Sequence, residues 1–342
     1  MTRPLRRVLL LIACLSLSGA LLIACGAEKE QEQTAAEILR ETFRSGGAGI
    51  DDGRLSLRFE LDPEGLLAIG GPVKLALDGP FAAPRPGELT RFDVRFVATL
   101  AHRPYRGSVR STGRRALVTL EDGTYEVDRA LVDRLRRSPA SRRGAGGLAV
   151  TGFRPLRWIS APRKKGDARV AGVDTVRIGG RLNVERLLGD LDVLLTRAGG
   201  ATSGSTLLTP KLRRQIAGAV DSSTVDVWTG ASDRLLRQLA VRIVFFFKDD
   251  SSPLQVLRGG TINLRLRLDD VNRKSAPASA FAAPGRARAR PLADLTGGSA
   301  ANFFEGIGAG ITGGRGRELF ACLTAADGSS SSLARCVSKL AP

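Results

Sequence analysis

The residues of this chain that could perform acid–base or metal chemistry are few and scattered. The single histidine among 342 residues, His102, stands close to a proline, as turn residues often do. Carboxylates occur in adjacent pairs at 51–52, 249–250 and 269–270, with Asn272 beside the last pair. They could bind a cation, but turn chemistry explains them equally, and adjacent side chains at strand ends point apart. We therefore expect no catalytic residue, no metal site and no cofactor.

The familiar enzyme motifs are missing as well. There is no His-Glu-x-x-His helix, no Gly-x-Ser-x-Gly elbow and no Walker A loop. Residues 308–313 match Gly-x-Gly-x-x-Gly, but no β-strand precedes them and no βαβ unit follows. An enzyme would need a site assembled from distant residues, which no sequence pattern supports, so we expect a protein that is not an enzyme.

Cys25 is the residue with the most specific predicted chemistry. Three arginines among the first seven residues precede an uncharged run over 8–24, and small residues stand directly before Cys25. This order is typical of a secretory signal and resembles the bacterial lipoprotein signal, whose cysteine is acylated. An ordinary signal peptide or a short membrane anchor is the alternative, since about 17 apolar residues is the lower limit for spanning. We expect residues 1–24 to be removed and a lipid such as palmitate on Cys25 to hold the protein outside the cytoplasm, on the outer face of the cell membrane.

The strong positive charge has two interpretations. The net charge is +18, but 44 of the 52 basic residues are arginine, a bias that a GC-rich genome also produces. Export argues against nucleic acid as the partner. Attraction to an anionic membrane is a secondary effect that this charge would support.

Two further cysteines, Cys322 and Cys336, form an even pair in an exported chain. We expect a disulfide between them that closes a loop of about 15 residues and contributes about 3 kcal/mol. Two unrelated buried thiols are the alternative.

The hydrophobic period changes along the chain between 3.6 and 2 residues. Period 3.6 predicts helices at 34–43, 129–137, 183–197 and 210–220. Period 2, with Gly and Asp-Gly turns between segments, predicts about ten strands in hairpin succession. Most strands are apolar on one face and rich in arginine on the other. They lie near residues 55–61, 73–77, 92–100, 105–111, 115–120, 124–127, 172–182, 225–227, 239–245 and 262–268.

Strands with one apolar face predict an antiparallel sheet that is dry on one side and wet on the other. The dry side must be covered, and the two central helices are the obvious cover. The expected fold is α+β, a curved antiparallel half-barrel that wraps helices on its concave face. We expect a flexible tether, one domain with an insertion or loop, and a Gly-rich tail with a Cys-bearing helical hairpin, at 25–33, 34–295, 138–167 and 296–342 respectively.

Several segments resemble the actinobacterial LppX/LprA/LprF/LprG lipoprotein family, which is similar in fold to the LolA and LolB carriers. The matching segments are 158–162, 170–176, 180–184, 225–228, 233–237, 268–272 and 291–295. The resemblance implies a half-barrel with a hydrophobic cavity. That cavity would hold the acyl chains of a lipid or glycolipid for carriage across the cell envelope.

The side chains expected to line this cavity come from the helices and from the inner face of the sheet. They are Leu187, Leu191, Leu194, Leu195, Ile216 and Val220 on the helices, and Phe59, Phe96, Val241, Ile243, Leu264 and Leu266 on the strands. A solid core uses the same residue types, so the pattern leaves an open cavity and a filled core as alternatives.

The expected function is therefore non-catalytic binding of a lipid with one to three acyl chains, with carriage of that lipid as its extension. A transporter is the expected protein partner and nucleic acid is not. The alternative is an envelope scaffold or sensor lipoprotein that binds a protein partner.

Overall fold

A computed structural model describes ten stretches of the chain: residues 33–43, 49–65, 71–85, 87–100, 102–136, 154–199, 210–248, 258–273, 278–282 and 289–291. Every helix and strand given below belongs to the unit Ala35–Pro342. The expected signal, Cys25, most of the tether, the Cys322–Cys336 disulfide and the tail all lie outside the described residues. They stay predictions.

Twelve strands form one open sheet, so the predicted α+β curved antiparallel architecture is confirmed. Their order across the sheet is β12-β6-β5-β4-β3-β2-β1-β11-β10-β9-β8-β7. All neighbours are antiparallel except β12 and β6, which share a two-residue parallel pairing. The strands are β1 (Asp52–Glu64), β2 (Val73–Ala82), β3 (Arg91–Leu100), β4 (Arg103–Ser111), β5 (Ala116–Leu120), β6 (Gly123–Glu126), β7 (Ile159–Val170), β8 (Val173–Leu182), β9 (Val220–Gly230), β10 (Leu236–Phe246), β11 (Gly259–Asp269) and β12 (Arg290–Pro291).

The prediction that residues 138–167 form a loop is wrong for its second half. β7 begins at Ile159 and pairs with β8 along most of its length. The proline, glycine and arginine residues that suggested a loop are tolerated because β7 is an edge strand. Pro162 lies where the β7–β8 register shifts between Ser160 and Arg163, so its missing N–H interrupts no regular ladder. Residues 137–153 lie outside the described residues.

Five helices are described: α1 (Ala35–Phe43), α2 (Arg129–Arg136), α3 (Pro155–Trp158), α4 (Val184–Gly199) and α5 (Pro210–Gly218). A 3₁₀ turn follows at Ala278–Phe281. The prediction that α5 extends to Val220 is wrong. Val220 is the first residue of β9 and is paired with Phe245, because a strand partner was available where the helical pattern alone suggested another turn. No described helix has both the length and the apolar character needed to cross a membrane.

The main core lies between the helices and strands β8–β11, in the half of the sheet that ends at β7. Ile38 and Leu39 of α1 are 1% and 2% exposed and join Trp158 of α3 and Val184 of α4. They pack with the inward residues of β8 to β11, which alternate along each strand as the period of 2 predicts. This core is built entirely within the unit Ala35–Pro342, so a chain that starts at residue 26 keeps all of it.

Candidate functional site

One side of the sheet carries an apolar surface that crosses six adjacent strands, from β9 to β3. Directly paired residues of neighbouring strands lie on the same side of a sheet, so the register defines rows of side chains. One row consists of Val227, Leu239, Leu266, Leu57, Leu77 and Phe96. The next row consists of Val225, Val241, Leu264, Phe59, Leu75 and Ala98. We call these two rows the apolar face.

Burial on the apolar face decreases from β9 towards β3. Val227, Leu239 and Leu266 are only 0%, 3% and 7% exposed. Leu77 and Phe96, in the same row, are half-buried. The β9–β10 part of the face and Leu266 of β11 are therefore filled by the protein's own side chains, whereas Leu264 of β11 and the β1–β3 part keep apolar surface within reach of a ligand.

The cover over the buried part is held in place by polar contacts. The Thr42 hydroxyl of α1 lies 2.8 Å from both the Ile38 carbonyl and the Thr229 hydroxyl of β9. The Trp158 indole N–H of α3 donates to the Asp190 carboxylate of α4 at 2.9 Å. These contacts fix α1 and the α3–α4 pair over β8–β11, on one half of the face only.

The predicted cavity residues divide into three groups. Val241, Ile243 and Leu266 are 5%, 5% and 7% exposed and belong to the filled core. The side chains of three α4 leucines lie outside the described residues: Leu191, Leu194 and Leu195. The remaining six are half-buried: Leu187, Ile216, Val220, Phe59, Phe96 and Leu264.

Two concave sites lie at opposite ends of the described strands. A cleft of about 490 Å³ lies where α4 begins and α5 ends, and Val220 and Val184 line it among polar residues. A cavity of about 220 Å³ lies among the turns at the opposite ends of the strands; it is lined by Ala171, Val173, Asp233, Arg237, Leu268, Asp270, Val271 and Arg273. Both sites have mixed linings, and neither contains the half-buried residues of β1–β3.

Sequence reasoning missed Arg237, a charged residue that is only 5% exposed. It donates to Asp233 through Nη2, and its buried Nη1 has no hydrogen-bond partner among the described residues. The sequence did contain an indication of its burial. Arg237 stands two and four residues before Leu239 and Val241, which is the spacing of side chains on one side of a strand. A charge in phase with an apolar stripe predicts an inward-facing cation.

The residues that could have carried acid–base or metal chemistry act in turns. His102 is exposed and has a φ of 62°, in the tight turn between β3 and β4. The Asn272 side chain accepts from the Asp51 N–H at 2.8 Å. Asp269 pairs with Arg267 at 2.6 Å, whereas 249–250 lies outside the described residues. Within the described stretches no group of three or more His, Cys, Asp or Glu residues is arranged to hold a metal ion.

Two of the perturbed titratable groups, Glu126 and Tyr125, lie in β6 and take part in side-chain hydrogen bonds. Two hydrogen bonds of 2.8 Å from Arg115 hold the pKa of the Glu126 carboxyl below its ordinary value. The hydrogen bond to Asp122 raises the pKa of Tyr125, with burial as the second cause. These groups lie at the β5–β6 end of the sheet, away from the apolar face, so their role is structural.

Comparison with known proteins gives likenesses in fold only. No protein-family model and no curated protein matches the chain. Among solved structures it is similar to lipoprotein LppX of Mycobacterium tuberculosis at 12% identity and a TM-score of 0.38, over 71% of this chain and 97% of that one. It is similar to LprF of Mycobacterium bovis at 12% identity and a TM-score of 0.37, over 73% and 97%. A LolA-superfamily protein of Nitrosomonas europaea matches at 9% identity and a TM-score of 0.20, over 73% and 98%.

These structures include two members of the family that the sequence resembles. At such identities and TM-scores the likenesses carry no argument about what the chain binds.

Proposed function

We propose that this chain is a non-catalytic, membrane-anchored lipoprotein that binds the acyl chains of a lipid or glycolipid on its apolar face. The observation that carries the proposal is the decrease of burial along that face, from 0% exposure at Val227 to half-buried Leu77 and Phe96 in the same row. An acyl chain needs no polar partner, and each buried CH₂ contributes about 0.8 kcal/mol. Half-covered Leu and Phe side chains in a row offer such a chain a continuous surface.

Two residues of the predicted helical wall, Leu187 of α4 and Ile216 of α5, are half-buried and pack against the core. They remain part of the proposed binding surface. Lipid carriage across the envelope, supplied by a transporter, is the extension of this proposal that the resemblance implies.

Native mass spectrometry of the chain from residue 26 onwards tests the proposal, because this chain keeps the core but lacks the acylated cysteine. We expect a bound mass that organic extraction identifies as a lipid with one to three acyl chains. A clean apoprotein that also refuses added phospholipid and glycolipid would contradict the proposal and favour a scaffold or sensor that binds a protein.

A matched pair of variants locates the site. Phe96→Arg places a charge on the apolar face, and we expect at least a tenfold loss of bound lipid because the guanidinium cannot be buried there without a partner. Leu156→Arg is the control, because Leu156 lies in α3, belongs to neither row of the apolar face and is 38% exposed. Equal lipid retention by both folded variants would place the ligand elsewhere.

A further inference from the structure

A row of arginine and small apolar side chains crosses the other side of the sheet. The register pairs Arg106 with Val97, Val97 with Ala76 and Ala76 with Arg58. It continues from Arg58 to Arg265 and from Arg265 to Ala240. We call these six residues the basic row. They lie on six adjacent strands about 4.8 Å apart, so the row spans about 24 Å.

The charges of the basic row are not neutralised. Arg58, Arg106 and Arg265 are exposed, and none of them makes a hydrogen bond or ion pair with a described residue. Other arginines on the same side are paired, such as Arg54 with Asp78 and Arg267 with Asp269. The register continues this row from Ala240 to an acid, Asp226 of β9, but that carboxylate is already paired with Arg177. The three arginines therefore have no acid of their own.

The pair Arg58–Arg265 is unfavourable for folding. The two residues are direct cross-strand partners, and like charges directly opposite each other destabilise a sheet. Folding alone gives no reason for this arrangement, so an external anion is the natural partner.

The surroundings extend the same mixture of charge and apolar surface. Arg95 and Arg242 are exposed and lie one row to either side. Val97 is 38% exposed, and Phe246, on the same side of β10 as Arg242, is 54% exposed. Cations mixed with exposed apolar side chains are typical of surfaces that sit in the headgroup region of a bilayer.

We propose that the basic row docks this side of the sheet onto the surface of an anionic lipid bilayer. Charge complementarity selects this occupant, because basic side chains close to such a surface each strengthen binding about fivefold. The proposal does not depend on lipid binding at the apolar face, which lies on the opposite side of the same strands. Docking would keep the apolar face turned away from the membrane that holds the protein.

Co-sedimentation with vesicles tests the proposal on the chain from residue 26 onwards, which has no acyl anchor. We expect binding to vesicles of 30% phosphatidylglycerol and 70% phosphatidylcholine, at least tenfold weaker binding to pure phosphatidylcholine, and release by 0.5 M NaCl. The triple variant Arg58→Gln, Arg106→Gln, Arg265→Gln should bind the anionic vesicles about a hundredfold more weakly. Its melting temperature should stay equal or rise, because the repulsion between Arg58 and Arg265 is gone.

The control triple variant is Arg54→Gln, Arg114→Gln, Arg169→Gln, whose arginines pair with Asp78, Glu88 and Asp174. It loses the same net charge, and we expect less than a threefold change. If both triple variants bound the anionic vesicles equally weakly, net charge would explain the binding and the proposal would be overturned. Equal binding of the unmodified chain to both kinds of vesicle, or binding to soluble polyphosphate but not to vesicles, would overturn it as well.

Discussion

Gly79 decides, at the scale of single residues, how closely β3 can approach β2. A methyl group built on Gly79 would overlap the carbonyl oxygen of Asp93 and lie 2.7 Å from the Cα of Val94. Both neighbours are backbone atoms, which cannot move aside as the end of a flexible side chain can. Gly79 therefore allows the two strands to approach each other next to Leu77 and Phe81 of the apolar side.

We predict that Gly79→Ala destabilises the fold by about 1–3 kcal/mol, because it forces the backbones of β2 and β3 apart. Gly189→Ala is the matched control, since its added methyl group would meet nothing within 4 Å in the interior of α4. That change should raise stability by about 0.5–1 kcal/mol, because alanine loses less conformational entropy in a helix. Chemical denaturation of both variants checks the signs, and a neutral Gly79→Ala would show that the strands can separate without cost.

Arg237 illustrates how a single residue can depart from its surroundings. It lies among the apolar residues of β10, yet its charge is balanced by Asp233 four residues earlier. Burying an arginine costs free energy unless its charge is paired, and this pair ties β10 to the preceding turn.

At the scale of elements, ion pairs across strands hold the β5–β6 end of the sheet together. Arg115 stands just before β5 and Glu126 is the last residue of β6, and their side chains share two hydrogen bonds. This contact spans the open end of the hairpin, opposite the Asp122-Gly123 turn. This contact stabilises the fold at neutral pH and loses that effect at acidic pH.

The pKa of Glu126 is lower in the folded chain than its ordinary value of 4.5. Its contribution is therefore present at neutral pH and is lost as the pH falls below that value through the folded pKa. We predict that Glu126→Gln lowers the midpoint of urea unfolding at pH 7 and that the difference from the unmodified chain narrows as the pH falls below 4.5. Arg115→Gln should reproduce this profile; a difference that stays constant with pH would assign the loss to packing.

At the scale of the whole molecule, the sheet has two sides with opposite characters. The apolar face is filled over β9 and β10, becomes half-covered at Leu264 of β11 and stays so over β1–β3, and the opposite side carries the basic row. With a net charge of +18 and a proposed anchor at Cys25, this arrangement would set the orientation of the domain on a membrane. The proposed lipid anchor at Cys25 and the proposed docking of the basic row would contribute separately to membrane binding.

We predict that Cys25→Ser moves the protein from the membrane fraction to the salt-extractable fraction in a bacterial host that acylates lipoproteins. The reason is that loss of the acyl chain leaves only charge-dependent docking, which salt screens. Labelling with a palmitate analogue followed by a 1 M NaCl wash measures both effects. Cys14→Ser is the control and should keep label and anchoring; a labelled, salt-resistant Cys25→Ser variant would show that Cys25 is not the anchor.

The sequence by itself determined most of the local structure. Alternation in 55–61, 239–245 and 262–268 defined strands and their inward residues, because side-chain direction in a strand has a strict period of two. Apolar residues at a spacing of three to four predicted α4 and α5, because that spacing places side chains on one side of a helix. The sequence pattern gave a wrong prediction at β7, where Pro162 and the basic residues of an edge strand look like a loop. It was also wrong at Val220, where the choice between helix and strand depended on pairing with Phe245.

Only the tertiary structure decided which apolar residues are filled core and which remain accessible. Leu266 and Leu77 have the same alternation in sequence, but α1, α3 and the start of α4 cover the strands around the first and leave the second half-buried. Likewise, no local pattern reveals that Arg58 and Arg265 stand opposite each other, since β1 and β11 meet from the two ends of the domain. Alternation is a local property of the backbone, whereas burial and charge neighbourhood depend on strand order and on contacts between residues far apart in the chain.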